Sequence, residues 1–338
     1  MMNTILRLMS ALVAVVILLA GAGGVTTLSN EQGKAAIGLI PQGTRVVINA
    51  PAFRMDLFEG GKLIKTYKIG IGYPEFPLPT GLRIADTIIF SPTWTPPDEP
   101  WVESPNSKVK VGQKIEAGDR LNPLGSIKIP IGLPSLIHGG KAPAQIGSFA
   151  SHGCVGLTNP QVRDFAKHLA RLSGTQISDE QIAEYEKNRT ETRPVKLSRA
   201  VTVELRYETV TVEDGKLHIY RDVYDRGANT EDNLRNVLQA YGVTVDQLSE
   251  GQRSQVTNAL SQMSRGASGK PVLKPASADG SDKDEVKPKN NASGKVTRTI
   301  KGGKEVVIEI GALRGKGYPA PVDLDTGVAS KRVVPRSR

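Results

Sequence analysis

The chain has 338 residues, of which 38% are hydrophobic and 23% charged, with 35 Gly and 22 Pro. That length and apolar content supply a core for one large or two smaller domains and fit a soluble body rather than a membrane bundle. The Gly and Pro content argues against an all-helical fold, and the net charge of +10 is uneven, with 16 Lys and Arg against 8 Asp and Glu from Arg265 to Arg338.

At the N-terminus, Met1 to Arg7 precedes an almost purely apolar run from Leu8 to Ala20, and Ala20-Gly21-Ala22 follows as a small-x-small pattern. This reads as an export signal, cleaved after Ala22 or kept as an anchor. Residues 26–43 read as a linker. Strands are predicted at Arg45 to Asn49, Arg54 to Phe58 and Leu63 to Ile69, with Gly60-Gly61 turning between the last two. Leu82 to Phe90 continues the strands, Pro92 to Pro100 is an irregular loop holding Trp94, and Ile127 to Ile131 and Ser135 to Ile137 are short strands.

A helix follows, with Asn159 as its cap, Pro160 at its first position, and Val162, Phe165, Ala166, Leu169 and Leu172 on one face before Gly174. Ser178 and Gln181 form the capping box of a second helix, with Ile177 and Ile182 as its staple. Val201, Val203, Leu205 and Tyr207 alternate as a strand, and Asp214-Gly215 turns a hairpin between Thr209–Val212 and Lys216–Tyr220. Thr230 to Tyr241 and Ser249 to Met263 read as helices. Beyond 265 the Lys-, Pro-, Ser- and Gly-rich composition predicts a largely disordered tail, with Val306 to Ile310 as a stray strand.

Cys154 is the sole cysteine. In an exported chain it has no internal disulfide partner, and a leftover thiol there is a liability unless it has a use. Two of the four histidines lie within 16 residues of it, in Leu136-Ile137-His138-Gly139-Gly140 and Ser151-His152-Gly153-Cys154-Val155-Gly156-Leu157. An imidazole beside a thiol generates the thiolate nucleophile. Gly153 opens an approach to the sulfur and frees N–H groups for an oxyanion. His138, at the end of a strand, is the better-placed base, and the Gly139 carbonyl is available to orient its ring. A zinc site on His138, His152 and Cys154 lacks a fourth ligand, and no metal is assigned. His168 reads as structural and His218 as solvated.

The pattern His138-Gly139 followed by Ser151-His152-Gly153-Cys154 resembles the signature of the L,D-transpeptidases, the YkuD-type catalytic domain. Pro79-Thr80-Gly81, the loop from Pro92 to Pro97, Asn122-Pro123-Leu124-Gly125 and Leu157-Thr158-Asn159 extend the resemblance over roughly 44–175. It implies a mainly β, α+β fold: a YkuD-like β-sandwich with a helix after the cysteine. Cys154 is then the nucleophile on peptidoglycan stem peptides and His138 the base. His152 shapes the site, the Gly153 and Cys154 N–H groups form the oxyanion hole, and Ser151, Trp94 and Asn159 contact substrate. The resemblance implies no cofactor.

The implied reaction expels terminal D-alanine and passes the acyl group to an amine in a 3→3 cross-link. Water and a protein are the alternative acceptors, and a non-catalytic wall-binding protein is the remote alternative. The family motif carries arginine two residues after the cysteine, where this chain has Gly156; Arg163 or Lys141 is available to replace it. The chain is thus expected to comprise an export segment at 1–25, a linker at 26–43, the catalytic domain at 44–175, a helical insertion with a hairpin and helical extension at 176–264, and the basic tail at 265–338. Its location is the periplasm or cell envelope, and the tail's partner is an anionic wall or membrane surface rather than nucleic acid.

Overall fold

A computed structural model describes residues 40–271 and 295–328. The export segment, most of the linker and the tail stretches 272–294 and 329–338 lie outside the described residues. The sequence folds as strands β1 (Arg45–Asn49), β2 (Arg54–Glu59), β3 (Lys62–Lys68), β4 (Ile71–Gly72), β5 (Gly81–Phe90), β6 (Ile127–Pro130), β7 (Leu136–His138), β8 (Phe149–Ser151) and β9 (Val155–Gly156). Helices α1 (Asn159–Ser173) and α2 (Asp179–Lys187) follow, then β10 (Arg193–Arg206), β11 (Val210–Glu213) and β12 (Lys216–Tyr220). Helices α3 (Glu231–Ala240) and α4 (Glu250–Met263) and strand β13 (Glu305–Glu309) complete the order.

Eight strands form one curled sheet in the order β3-β2-β1-β10-β5-β6-β7-β9, and β4 pairs with β8. The two ends of the curl meet where Gly70, just past β3, exchanges both main-chain hydrogen bonds with Gly156 of β9, each at 2.9 Å. Side chains of alternating residues, among them Met55, Leu57, Ile88, Phe90, Ile127, Ile129, Ile137 and Val155, fill the interior. Helix α1 lays Val162, Phe165, Ala166 and Leu169 into that core, the face its periodicity predicts. Gly174 ends it in the left-handed conformation (φ 77°), which a residue without Cβ adopts at low cost. The cap differs from expectation. Thr158 accepts from the Gln161 N–H, and Asn159 is the first helical residue, because Thr158 and Gln161 make a reciprocal box that Asn159 and Val162 cannot.

The large sheet runs past the expected boundary at 175. Strand β10 lies between β1, which it joins in parallel, and β5. Sequence patterning does not reveal this, since a partner for β1 some 150 residues away leaves no local signal. The tail corrects more strongly. Residues 295–328 are ordered: β13 adds to the β11–β12 hairpin with Ile308 opposite Leu217. Ile308, Ile310 and Leu313 are buried against Leu234, Leu238, Val256 and Leu260 of α3 and α4 in a second core. Composition alone reads this stretch as disordered, yet three apolar residues at the right spacing find that core. His218 is not solvated either; its Nδ1 meets Glu305 Oε1 of β13 at 2.6 Å. Past β13, Thr66 donates to Val322 and Lys68 to Asp325, so the segment 322–325 covers the open edge of β3.

A buried polar cluster joins the sheet to the C-terminal elements. Arg54 donates to Asp56 (2.9 Å), to Glu213 (2.7 Å) and to the Pro319 carbonyl (3.1 Å). Thr66 donates to Asp56 Oδ1 and Tyr318 to its Oδ2, and Thr211 and Tyr220 donate to Glu213. Burial pushes the Asp56 carboxyl up, against the pull of Arg54. Removing the guanidinium leaves two carboxylates facing each other out of water. Arg54→Met is therefore expected to lose about 3–5 kcal/mol in urea unfolding. Lys196→Ala, which breaks the exposed pair with Asp86, is expected to lose under about 1 kcal/mol. Equal losses would show that the cluster is not what joins the two parts.

Candidate active site

Cys154 and His138 lie on neighbouring elements because β7 and β9 are adjacent parallel strands, with His138 in register with Gly156, two residues past Cys154. The chain between them leaves β7, forms β8 and returns through Ser151-His152-Gly153-Cys154. That turn is clamped by Ser151, which is buried; its Oγ donates to the Cys154 carbonyl at 2.6 Å and accepts the Cys154 N–H at 3.0 Å. Gly153 holds a positive φ of 93°, which its missing side chain permits, and its carbonyl accepts from Ser135 Oγ at 2.8 Å. One expectation changes here: the Cys154 N–H is taken by Ser151, which clamps the turn, and is not free as an oxyanion donor. The Gly153 N–H has no hydrogen-bond partner among the described residues.

Burial pushes the Cys154 thiol up. A main-chain hydrogen bond at Leu136 and the charge of Lys141 oppose that and favour the thiolate. Leu136 lies on β7 two residues before His138, so the thiol sits against the strand that carries the imidazole. His138 is itself almost fully buried, with Nδ1 2.8 Å from the Gly139 carbonyl. A carbonyl only accepts, so Nδ1 carries the proton and Nε2 is the bare nitrogen. Desolvation, with Lys141 next, pulls the imidazole down to about 3, and it is neutral near pH 7.

His152 is a wall. Its ring stacks on Trp101 (centroids 4.0 Å, planes 13° apart) and meets the edges of Phe76 at 4.7 Å and Tyr73 at 5.1 Å. Burial first, then Lys141 and Arg298, pull it down to about 4. Trp94 stacks behind Trp101 at 6.4 Å and is tied to Ile115 by two main-chain hydrogen bonds, which orders the irregular loop between β5 and β6. Asn159 turns its Oδ1 to the N–H groups of Gly140 (2.9 Å) and Ser126 (3.1 Å), bracing the loop after His138. A cavity of about 760 Å³ lies beside that brace, lined by Asn122, Gly125, Asn159, Arg163 and Arg189, without Cys154 or His138.

Sequence reading missed Tyr73, Phe76 and the C-terminal contribution. Thr297 donates from its N–H (3.1 Å) and hydroxyl (2.7 Å) to Glu75, and Arg298 donates to the Tyr73 hydroxyl at 3.1 Å. No local signal places residues 297 and 298 beside 73 and 75. Among the described residues no group of three or more His, Cys, Asp or Glu is arranged to hold a metal ion.

Residues 43–196 match the family model of YkuD, the L,D-transpeptidase catalytic domain. No curated protein matches the chain. Among solved structures, an L,D-transpeptidase from Mycobacterium smegmatis is 16% identical at a TM-score of 0.28, over 48% of this chain and 58% of its own. The catalytic domain of the E. faecium L,D-transpeptidase is 15% identical at 0.31, over 49% of this chain and 98% of its own. An L,D-transpeptidase from Mycobacterium tuberculosis H37Rv is 14% identical at 0.27, over 48% and 57%. The chain thus spans under two thirds of the length of both mycobacterial enzymes. The match over 43–196 assigns that stretch, with the Cys154 turn inside it, to the YkuD family of L,D-transpeptidase catalytic domains.

Proposed function

We propose that this chain is an exported cysteine acyltransferase of peptidoglycan, working in the periplasm or cell envelope. The observation that carries the reading is the sole thiol held in the Ser151 clamp, against the strand that bears a neutral, buried His138, within a domain matched to the L,D-transpeptidases. Bare Nε2 of His138 takes the thiol proton as Sγ attacks the carbonyl of the third stem residue. The Gly153 N–H receives the oxyanion. The imidazolium returns its proton to the departing amine of D-alanine, leaving a thioester on Cys154. An amine on a neighbouring stem then attacks, gives its excess proton to His138, and leaves as the 3→3 cross-link with the thiol restored. His152, Trp101 and Trp94 wall the groove in which the stem lies.

Incubating the full chain with disaccharide-tetrapeptide and weighing the products by mass spectrometry tests this. Cross-linked dimers that have lost one D-alanine are expected. Monomers lacking the fourth residue would make water the acceptor, and no product with an unmodified thiol would leave a wall-binding role. Cys154→Ala is expected to cut product at least about a thousandfold without lowering the melting temperature; a variant that stays active removes Cys154 as nucleophile.

The neutral imidazole also has a stability signature. His138 binds its proton near pH 3 folded and near the ordinary 6.5 unfolded, so the unfolded chain gains protons first on acidification. The stabilisation it gives is complete above pH 6.5 and shrinks as pH falls toward 3, by up to about 1.4 kcal/mol per pH unit. Denaturant titrations at pH 7, 6, 5 and 4 should show wild type losing stability faster than His138→Asn. Parallel curves would mean that His138 is not held neutral.

A further inference from the structure

Lys141 follows the Gly139-Gly140 turn after β7, and its N–H donates to the Leu157 carbonyl at 3.0 Å. This fixes its Cα beside β9. From there its side chain crosses the face of Gly156: a Cβ added to Gly156 would lie 2.8 Å from both Cγ and Cε of Lys141 and 3.2 Å from Cδ. Gly156 cannot yield, because its own N–H and carbonyl are both bound to Gly70. A side chain at position 156 and the present path of Lys141 exclude each other. The missing Cβ is what lets the lysine stem through.

The far end of that stem is an ammonium that takes part in no ion pair or hydrogen bond among the described residues. Burial disfavours its charge, and the group that favours it is Cys154. The effect is mutual, since Lys141 favours the Cys154 thiolate. Lys141 is the charged group that acts on the thiol, while Lys128 on β6 acts on His138 and Arg298 from the C-terminal segment acts on His152. Glu75, the carboxylate nearest this wall, is held by Thr297, and Cys154 is the group that favours the Lys141 charge.

We propose that Lys141, threaded over Gly156, is the positioning cation that stabilises the Cys154 sulfur anion as it forms and so eases passage of the thiol proton to His138. The same charge repels a proton from His138 and keeps the imidazole an acceptor. A stem that merely covers the glycine would need four methylenes and no charge. The inference rests on Cys154 being the nucleophile.

Because Cys154 is the only cysteine, alkylation of the full chain by iodoacetamide reports on it alone. The rate is measured from pH 6 to 11 for wild type, Lys141→Met and Lys141→Arg. The methionine keeps the stem and drops the charge. Its midpoint is expected to rise by about one pH unit, with alkylation near neutral pH slowed about tenfold, while Lys141→Arg stays near wild type. Gly156→Ala, which displaces the stem and keeps the charge, is expected to shift the midpoint the same way and stands in if the methionine variant fails to fold. Unchanged midpoints in the folded variants overturn the proposal. The readout needs no stem peptide. Active Cys154→Ala with a shifted midpoint would therefore sink the nucleophile and spare the electrostatic assignment; inactive Cys154→Ala with unchanged midpoints would do the reverse.

Discussion

The pair of main-chain hydrogen bonds between Gly70 and Gly156 governs the rest of the structure. It draws the last strand of the curled sheet onto the chain leaving β3, so that the turn bearing Cys154 has a fixed wall on both sides. Both positions lack room for a side chain because of what lies beside them. A Cβ at Gly70 would lie 2.7 Å from Cβ of Ala150, and one at Gly156 would strike Lys141. What begins as sheet closure thus sets the path of a charged side chain and the surroundings of the thiol.

The site's electrostatics follow from burial more than from pairing. A carboxylate beside His138 would favour imidazolium; a carbonyl there selects the tautomer without adding charge, and desolvation keeps the ring neutral. The thiol suffers the same desolvation in the opposite sense, since burial favours its protonated form. A base that prefers to be neutral and an acid that prefers to stay protonated make a quiet resting pair. The cation at Lys141 and the hydrogen bond at Leu136 offset part of the burial penalty on the thiolate without a buried carboxylate.

Much of this was legible in the sequence where the signal is local. The face of α1, the box at Ser178 and Gln181, the Asp214-Gly215 hairpin and the Gly139 carbonyl at His138 all follow from neighbours a few residues apart. What escaped is non-local. Strand β10 belongs between β1 and β5, Arg298 reaches Tyr73, and β13 completes a sheet, each across a separation over which no periodicity runs. The Cys154 N–H escaped for a different reason. Sequence supplies the donor but not its competitor, and Ser151, three residues earlier, takes it.

The polar cluster at Arg54 has a consequence in time. Its partners are Asp56, two residues away, and Glu213 and Pro319, which are made far later. A chain emerging N-terminus first therefore carries a charged arginine without Glu213 and a β1 paired only with β2 until β10 is made, with the edge of β3 open until residue 322 arrives. Over that interval the early strands are templates for pairing with a second molecule. Residues 319–325 act as a built-in chaperone for the first strands, and a nick near residue 300 reaches the start of the fold as surely as a change within it.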